Sequence, residues 1–173
     1  DYTKTLWQYC TQRHIPFIYA SSAATYGDGS NGFSDDHKVI PSLKPLNPYG
    51  LSKQKFDLFA LDQSKTPEGW WGLKFFNVYG RHEDHKERMA STVWHGFYEI
   101  VKTSKMTLFK SHNPAFKDGE QRRDFVYIDD VIAMVKFIMT RKPKSGIYNI
   151  GTGTAKTYME LAQGLFAALE KPV

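Results

Sequence analysis

The spacing of apolar residues along the chain predicts helices and buried strands that follow one another in sequence. Apolar positions recur at helical spacing over residues 1–14, 49–64, 88–102, 131–139 and 159–169. Apolar runs of strand length lie between these segments, over residues 15–22, 70–78, 106–109 and 146–150. Asp129 or Asp130 is predicted to cap the fourth helix. This order of elements predicts an α/β fold with a parallel sheet.

The start of the second predicted helix carries a candidate acid–base pair. Pro45 and Pro48 keep the preceding chain extended, because a residue before proline is pushed out of the α region. Tyr49 and Lys53 are four residues apart and therefore lie on one helix face. An ammonium close to a phenol favours the phenolate, so the pair could exchange protons near neutral pH. The alternative is a tyrosine and a lysine on the surface of an ordinary amphipathic helix.

Polar side chains follow the apolar runs at several strand ends. Ser21 and Ser22 end the first run, at the place where open α/β sheets bind ligands. Asn77 lies near the end of the second run and offers both a donor and an acceptor. Away from these strand ends, Arg123, with Arg122 as a substitute, is a further candidate in the segment Arg123-Asp-Phe-Val126, because a guanidinium fork matches two phosphate oxygens. A surface ion pair with Asp124 is the alternative for this arginine.

Composition and charge narrow the class of protein. The chain has 173 residues, a net charge of +5 and a single cysteine, Cys10, which excludes an intrachain disulfide and fits a reducing compartment. Scattered basic residues carry no nucleic-acid signature, so an anionic small molecule is the expected partner. We find no membrane-spanning run, no signal peptide and no metal-ligand spacing in the sequence. Gly151–Thr154 lacks the Walker spacing and is interpreted as a turn.

Ser22, Tyr49 and Lys53, on this strand and helix, resemble the extended short-chain dehydrogenase/reductase family. Further motifs strengthen the resemblance, namely Asn77-Val-Tyr-Gly80 and Arg123-Asp-Phe-Val126. The resemblance implies the second half of a Rossmann-like sheet with part of a smaller substrate-binding domain. It also implies that Lys53 binds the nicotinamide ribose and tunes Tyr49, while Ser22 hydrogen-bonds the reacting oxygen.

A narrower signature resembles one group within that family, which epimerises an ADP-linked heptose at C6. It consists of His85-Lys86, Met89-Ala-Ser91 and Val93-Trp-His95. The resemblance implies ADP-heptose as substrate, NADP as cofactor, a role in the lipopolysaccharide core, a cytoplasmic location and a homo-oligomer. This chain departs from the group at Arg81, where proline is expected, and at Glu87, where glycine is expected.

The same resemblance assigns roles to further residues. Epimerisation needs a second proton donor, because one group cannot easily serve both faces of the sugar carbon. Lys86 takes that role; the alternatives are a solvated lysine or a phosphate contact. The implied catalytic set is Tyr49, Lys86, Lys53 and Ser22, and the implied cofactor-binding set is Lys53, Tyr49, Val78 and Lys86. The implied substrate-binding set is Ser22, Asn77, Arg88, His95, Phe109, Lys110, Ser111, His112 and Arg123.

The glycine-rich dinucleotide fingerprint of the family is absent from this sequence. We therefore expect a fragment that lacks the N-terminal nucleotide-binding half. The expected organisation is 1–80 as part of the Rossmann-like domain and 81–122 as part of the substrate domain. Residues 123–150 are expected to return to the Rossmann-like domain, and 151–173 to begin the C-terminal substrate-domain helix. A related nucleotide-sugar epimerase or dehydratase and a non-catalytic reductase-like binding module are the alternative functions.

Overall fold

The computed structural model describes residues 2–112, 114 and 116–172, and confirms the predicted α/β fold with a parallel sheet. The helices are α1 (Tyr2–Arg13), α2 (Pro48–Asp62), α3 (Thr92–Thr103), α4 (Ile128–Arg141) and α5 (Tyr158–Ala168). The strands are β1 (Phe17–Ser22), β2 (Trp70–Phe75), β3 (Asn77–Tyr79), β4 (Arg122–Arg123), β5 (Phe125–Tyr127), β6 (Gly146–Ile150) and β7 (Lys156–Thr157). Short 3₁₀ turns span Ala23–Tyr26, Ile40–Ser42 and Asp84–Met89.

The chain forms two compact units. The first unit runs to Phe76 and resumes over Ala133–Ile150, and the second comprises Asn77–Ile132 and continues from Gly151. The predicted domain ranges divide the chain after residues 80, 122 and 150, and these functional domains stay a prediction.

A parallel sheet in the order β1-β2-β6 forms the centre of the first unit. Ser22 pairs with Phe75 and Phe75 with Ile150, so the carboxyl ends of the three strands are level. Trp7 is the buried residue of α1, and its indole makes edge-on contacts with four aromatic rings, those of Phe17, Phe56, Phe59 and Trp70. This aromatic core fixes α1 and α2 against the amino-terminal half of the sheet.

Helix α2 begins where the two prolines predict. Asn47 is the N-cap, its side-chain oxygen accepts a hydrogen bond from the Gly50 amide at 2.8 Å, and Pro48 occupies the first helical position. The first turn of the helix therefore carries Tyr49 at a defined place, one residue from the predicted start.

The outer edge of β6 is covered by side chains from the loop between β1 and α2. The Ile147 amide donates to Nε2 of His37 at 3.0 Å, and the Asn149 amide donates to the Asp35 carboxylate at 2.7 Å. Gly146 makes room for the histidine, since a Cβ there would lie 2.8 Å from the imidazole. The loop is thereby fastened along β6.

The second unit contains two small pairs of strands. Strand β3 pairs with β5 in parallel and β4 pairs with β7 antiparallel. Ser91 caps α3, and Thr157 and Glu160 form a reciprocal capping box at the start of α5. Helices α3 and α5 pack together, with Val126 and Ile100 fully buried in this unit.

The strand predicted over 70–78 is two strands. β2 ends at Phe75, and the Phe76 amide donates to the Ile150 carbonyl in the first unit. The next amide, that of Asn77, donates to the Asp124 carbonyl in the second unit, where β3 begins. An apolar run cannot show this change of partner, because both segments are of strand type.

Three other predicted boundaries are wrong. No strand forms over 106–109, because the amide and hydroxyl of Thr107 donate to the Glu99 carboxylate and not to a neighbouring strand. The helix predicted from residue 88 begins at Thr92, after a 3₁₀ turn. Asp129 and Asp130 lie in the first turn of α4 and do not cap it, since the helix begins at Ile128.

Candidate active site

Ser22 lies at the carboxyl end of β1 and caps the 3₁₀ turn that follows. Its Oγ accepts a hydrogen bond from the Ala24 amide at 3.1 Å, and the residue is 9% exposed. A hydroxyl oxygen that accepts in this way can still donate its own proton. Ser22 is therefore held by the backbone as a hydrogen-bond donor.

Tyr49 and Lys53 lie on one face of α2, as their spacing predicts. Nζ of Lys53 donates to the Ala20 carbonyl of β1 at 2.9 Å and lies 5.7 Å from the centroid of the Tyr49 ring. The ammonium has three donors, so this bond leaves two for a ligand. Tyr49 is 57% exposed. The arrangement presents a phenol and an ammonium together near the end of β1.

Gly50 allows α2 to approach the turn after Ser22. A Cβ at Gly50 would lie 2.6 Å from the Ala24 carbonyl oxygen, which is closer than side-chain and backbone atoms can pack. Gly50, the residue after Tyr49, thus packs against the backbone of the turn that Ser22 caps. Ser22, Tyr49 and Lys53 are brought to one end of the first unit by this contact and by the Lys53–Ala20 hydrogen bond.

A buried polar cluster, which the sequence analysis missed, lies under these residues. Asp57 accepts hydrogen bonds from Tyr19 at 3.0 Å and Ser21 at 2.7 Å, and forms an ion pair with Lys74 at 2.6 Å. The Lys74 ammonium also donates to Thr25 at 2.6 Å, and both ionic side chains are 0% exposed. Burial lowers the pKa of Lys74 and raises that of Tyr19, with the Asp57 charge opposing the first shift and adding to the second. The cluster ties β1, β2 and α2 together.

The loop after β3 carries Lys86, the predicted second proton donor. Its Nζ lies 3.3 Å from the Glu83 carboxylate, and 43% of its side chain is exposed. Burial by itself would raise the pKa of Glu83, but hydrogen bonds from Ser91 and Gly80, with the Lys86 charge, hold it below its usual value. The lysine therefore has a fixed anionic partner and remains accessible.

Glu87, next to Lys86, has φ 47° and ψ −124°. Glycine adopts this combination readily, whereas a residue with a Cβ rarely does. The expectation of glycine at this position, made from the resemblance, thus coincides with the backbone that the loop adopts. The other departure, Arg81, forms an exposed ion pair with Asp129 at 3.0 Å.

Tyr158, at the start of α5, lies next to two of the predicted substrate-binding residues. The Phe109 ring is 5.0 Å from the Tyr158 ring, and the Arg123 guanidinium lies 5.9 Å from it. Arg123 is exposed and donates one hydrogen bond to the Arg122 carbonyl at 2.7 Å, which uses one of the five donors of its guanidinium. Sequence reasoning missed Tyr158 because nothing in its local pattern distinguishes it from a core tyrosine.

Asp124 is occupied by the loop that follows β6. Its carboxylate accepts from the Thr152 amide at 3.0 Å, the Thr152 hydroxyl at 2.6 Å and the Gly153 amide at 2.8 Å. This explains why Gly151–Thr154 only resembles a phosphate loop, since an internal carboxylate takes its donors. It also replaces the surface ion pair that was the alternative for Arg123.

The remaining predicted residues lie in the second unit. Asn77 and Val78 are half-buried in β3, His95 is exposed on α3 with its ring against Trp94, and Arg88 is exposed on the Lys86 loop. Lys110, Ser111 and His112 lie in the loop that contains Asn113 and Ala115, which are outside the described residues; the Ser111 amide donates to Asp118. The predicted set is thus divided, with Ser22, Tyr49 and Lys53 in the first unit and the others in the second. The roles of all these residues stay predictions.

The described part of the chain can be searched directly for a metal site and for a membrane-spanning helix. No group of three or more metal-ligating side chains is found among residues 2–112, 114 and 116–172. Within the same residues, no helix is both long and apolar enough to cross a membrane.

Comparison with known proteins identifies relatives over nearly the whole chain. The chain is 50% identical over 169 residues to the ADP-L-glycero-D-manno-heptose-6-epimerase of Fusobacterium nucleatum, covering 96% of this chain and 51% of that protein. It is 43% identical over 170 residues to the enzyme of the same name from Nitratidesulfovibrio vulgaris, covering 98% and 52%. The chain thus spans about half the length of the curated relatives it matches. The predicted resemblance to this group of 6-epimerases is confirmed.

Solved structures agree in fold. The ADP-L-glycero-D-manno-heptose-6-epimerase of Helicobacter pylori has a TM-score of 0.78 at 35% identity, over 95% of this chain and 49% of that one. The UDP-glucose 4-epimerase of Thermus thermophilus, solved in complex with NAD, has a TM-score of 0.74 at 27% identity, over 95% and 52%. The family model described as the NAD dependent epimerase/dehydratase family matches residues 1–151. A match over this much of the chain, with these relatives, means that the chain belongs to the NAD dependent epimerase/dehydratase family.

Proposed function

We propose that the protein carrying this chain converts ADP-D-glycero-D-manno-heptose to ADP-L-glycero-D-manno-heptose, by transient oxidation and re-reduction of C6. The observation that carries this proposal is the Lys53 ammonium, which is bonded to the Ala20 carbonyl beside the exposed Tyr49 phenol. Such a pair suits proton exchange with a sugar hydroxyl. The name that the relatives carry supports the heptose as the substrate.

The residues present fit the nicotinamide end of a dinucleotide. Lys53 retains two donors that can bind the hydroxyls of a ribose, and it lies beside Tyr49 at the carboxyl end of β1. Together with Val78 and Lys86, they are our proposed cofactor-binding residues, and NADP is the proposed nucleotide. When bound, this nucleotide accepts a hydride from a sugar carbon and returns it.

We assign the group that accepts the proton on the first face of C6 to the first unit. Tyr49, as the phenolate, accepts the C6 hydroxyl proton while the carbon loses its hydride. The Ser22 hydroxyl donates to the same oxygen, since the Ala24 amide occupies its oxygen as an acceptor. The Lys53 ammonium, 5.7 Å from the centroid of the Tyr49 ring, is the cation that we place beside the reacting phenol.

The proton on the second face is assigned to Lys86. When hydride returns to the opposite face of the C6 ketone, the ketone oxygen becomes a hydroxyl by taking a proton from the Lys86 ammonium. The exposed part of this side chain leaves it accessible to a ligand. Two donors with separate positions are what inversion at one carbon requires.

The nucleotide part of the substrate is assigned to the second unit. A guanidinium binds two phosphate oxygens at once, and Arg123 presents its group beside the Tyr158 ring, so we assign it the pyrophosphate. Phe109 lies on the same tyrosine and would contact the nucleoside. The other proposed substrate contacts are Asn77, Arg88, His95, Lys110, Ser111 and His112.

A second candidate is a related 4-epimerase or dehydratase of UDP- or dTDP-hexoses, favoured by the fold shared with the Thermus thermophilus enzyme. A reductase-like module that binds without catalysis is a third. The His85-Lys86 motif favours the 6-epimerase, because by the resemblance the related 4-epimerases and dehydratases lack it. For the setting we propose synthesis of lipopolysaccharide core heptose in the cytoplasm, by a homo-oligomer.

The test is a substrate screen with the protein carrying this chain, supplied with NADP or NAD. ADP-D-glycero-D-manno-heptose should be converted, with C6 inversion read by NMR, and UDP-hexoses should not. Tyr49→Phe combined with Lys86→Met should lower the rate by at least about 100-fold. The matched control is Tyr9→Phe with Lys102→Met, which changes the same residue types on α1 and α3. Turnover of a UDP-hexose alone, or unchanged epimerisation by the site variant, would reject the proposal.

A further inference from the structure

Glu83 is a buried carboxylate that joins the two ends of the loop carrying Lys86. It is 3% exposed. Its Oε1 accepts from the Gly80 amide at 3.1 Å and from the Ser91 hydroxyl at 2.7 Å. Its Oε2 accepts from the Ser91 amide at 2.8 Å and from the Lys86 ammonium at 3.3 Å. A carboxylate has about four acceptor sites, and each of these is used.

Three of the four hydrogen bonds fix Glu83 without any help from Lys86. They come from Gly80, where the loop begins, and from Ser91, which caps α3. The bond to Lys86 is the longest, and a partly exposed ion pair of this kind adds little to stability. The carboxylate therefore stays in place whether or not the lysine engages it, which makes it a fixed point for a mobile side chain.

The other charged groups of this region have different partners. Asp84 accepts from Trp94 and Tyr98 on α3, and Arg81 pairs with Asp129. The remaining ionisable side chains of the loop are exposed, namely His82, His85, Glu87 and Arg88. Among the ion pairs of the described residues, Glu83 is the partner of Lys86.

We propose that Glu83 is a positioning residue, which holds the Lys86 ammonium in place as the second proton donor of the epimerisation. The proposal rests on the function proposed above. Lysine has a flexible four-carbon stem, and restricting it before the reaction removes an entropic cost from the proton transfer. In the step itself the Lys86 proton passes to the C6 oxygen. Glu83 remains an anion throughout and neither gives nor takes a proton.

The first experiment measures the order of the Lys86 side chain in the protein carrying this chain, by NMR relaxation at its labelled Cε. Glu83→Gln keeps the shape and removes the charge, so the order parameter of Lys86 should fall to that of Lys102, an exposed lysine on α3. Asp84→Asn is the matched control, because it neutralises the adjacent carboxylate, which does not bind Lys86; it should leave the order parameter unchanged. An equal order parameter in wild type and Glu83→Gln overturns the proposal.

Glu83→Asp guards against a variant that does not fold. It keeps the charge but withdraws it by one methylene, and it too should lower the order of Lys86. A well-folded Glu83→Asp chain in which Lys86 keeps its wild-type order would count against positioning as firmly as the first variant.

The second experiment uses the protein carrying this chain and follows only the oxidation step from each C6 epimer, read as the appearance of the reduced nucleotide in one turnover. Tyr49 takes the C6 proton of the D-glycero epimer and Lys86 that of the L-glycero epimer, so Glu83→Gln should slow oxidation of the L-glycero epimer at least about tenfold more than that of the D-glycero epimer. The KM for the ADP-sugar should change less than about twofold, because Glu83 is buried and its acceptor positions are used within the protein. Equal slowing from both epimers would indicate a merely structural role.

The two experiments separate the two proposals. A protein without epimerase activity rejects the proposed function and with it the proton-donor role of Lys86, while the relaxation data still show whether Glu83 holds the lysine. The other outcome is an active enzyme in which Glu83→Gln changes neither the order of Lys86 nor the relative oxidation rates of the two epimers. That result rejects the positioning role of Glu83 and leaves the proposed function unchanged.

Discussion

The two units each contain a lysine–carboxylate pair beside proposed catalytic residues, and the two pairs differ in burial. Lys74 and Asp57 lie 2.6 Å apart with both side chains 0% exposed. Nζ of Lys86 lies 3.3 Å from the Glu83 carboxylate, with the glutamate side chain 4% and the lysine side chain 43% exposed. Both carboxylates also accept hydrogen bonds from serine side chains. What differs is whether the cation can reach anything beyond its partner.

This difference separates a lysine with a structural role from one that is accessible to a ligand and can donate a proton to it. The Lys74 ammonium is held among Asp57, Thr25 and the Tyr26 ring, so no ligand can meet it. Its role is to fasten the strands to α2. Lys86 has a buried anion on one side and open space on the other, which suits a group that must deliver a proton. The pairs therefore make opposite predictions for stability and for activity.

Breaking the buried Lys74–Asp57 pair, called the closed pair below, should have the largest effect on stability. Asp57→Ala leaves a buried ammonium without its counter-charge, which costs about 3–5 kcal/mol of the free energy of unfolding. Urea denaturation followed by tryptophan fluorescence measures the loss. Replacing both partners, as in Asp57→Leu with Lys74→Met, should recover part of it, because no buried charge is then left unpaired. The recovery is incomplete, since the buried hydroxyls of Tyr19 and Ser21 lose their acceptor.

The partly exposed Lys86–Glu83 pair, called the open pair below, supplies the control for this prediction. Lys86→Met should change the free energy of unfolding by no more than about 0.5 kcal/mol, since a partly exposed pair adds little. If Asp57→Ala and Lys86→Met destabilised the chain equally, the contrast drawn between the two pairs would be incorrect.

Relieving the backbone of the open pair's loop should have an intermediate effect. Glu87→Gly removes the Cβ from a residue with φ 47°, and the gain in the folded state should exceed the extra freedom of glycine in the unfolded chain. The expected stabilisation is about 1 kcal/mol, measured by the same denaturation. Glu68→Gly, in an exposed turn without positive φ, is the control and should not stabilise. A destabilised Glu87→Gly chain would show that the loop is not strained there.

The smallest expected effect is a pH dependence specific to the open pair. The pKa of Glu83 lies below its usual value of 4.5 in the folded chain, so its carboxylate stabilises the fold above that pH. The contribution is lost as the pH falls through the folded pKa. The stability difference between wild type and Glu83→Gln should therefore be constant above about pH 4.5 and narrow below it. A gap that stays constant down to pH 3 would contradict the lowered pKa.

The sequence predicted those parts of the site that depend on local spacing. Tyr49 and Lys53 lie on one face because a helix brings residues four apart together, and the prolines and Asn47 define where that helix begins. Ser22 lies at a strand end because the apolar run stops there. Glu87 was singled out through the resemblance alone, and its backbone gives the physical reason.

The rest depends on contacts between distant segments. Asp57, Lys74 and Thr25 meet from α2, β2 and the turn after β1, and no spacing along the chain relates them. Glu83 and Lys86 are close in sequence, but a 3₁₀ turn with a kink at Glu87 has no periodicity to read. Tyr158 gains its place beside Arg123 through the β4–β7 ladder and through the hydrogen bond from its amide to the Gln121 carbonyl.

The loop fastened along β6 has a consequence for how the molecule meets other chains. An open strand edge offers unpaired backbone groups to any other extended segment, and so invites aggregation. At β6 the outward amides of Ile147 and Asn149 are already bonded to His37 and Asp35. The side chains of His37 and Asp35 thus occupy the amides that a strand of another chain would need in order to pair with β6.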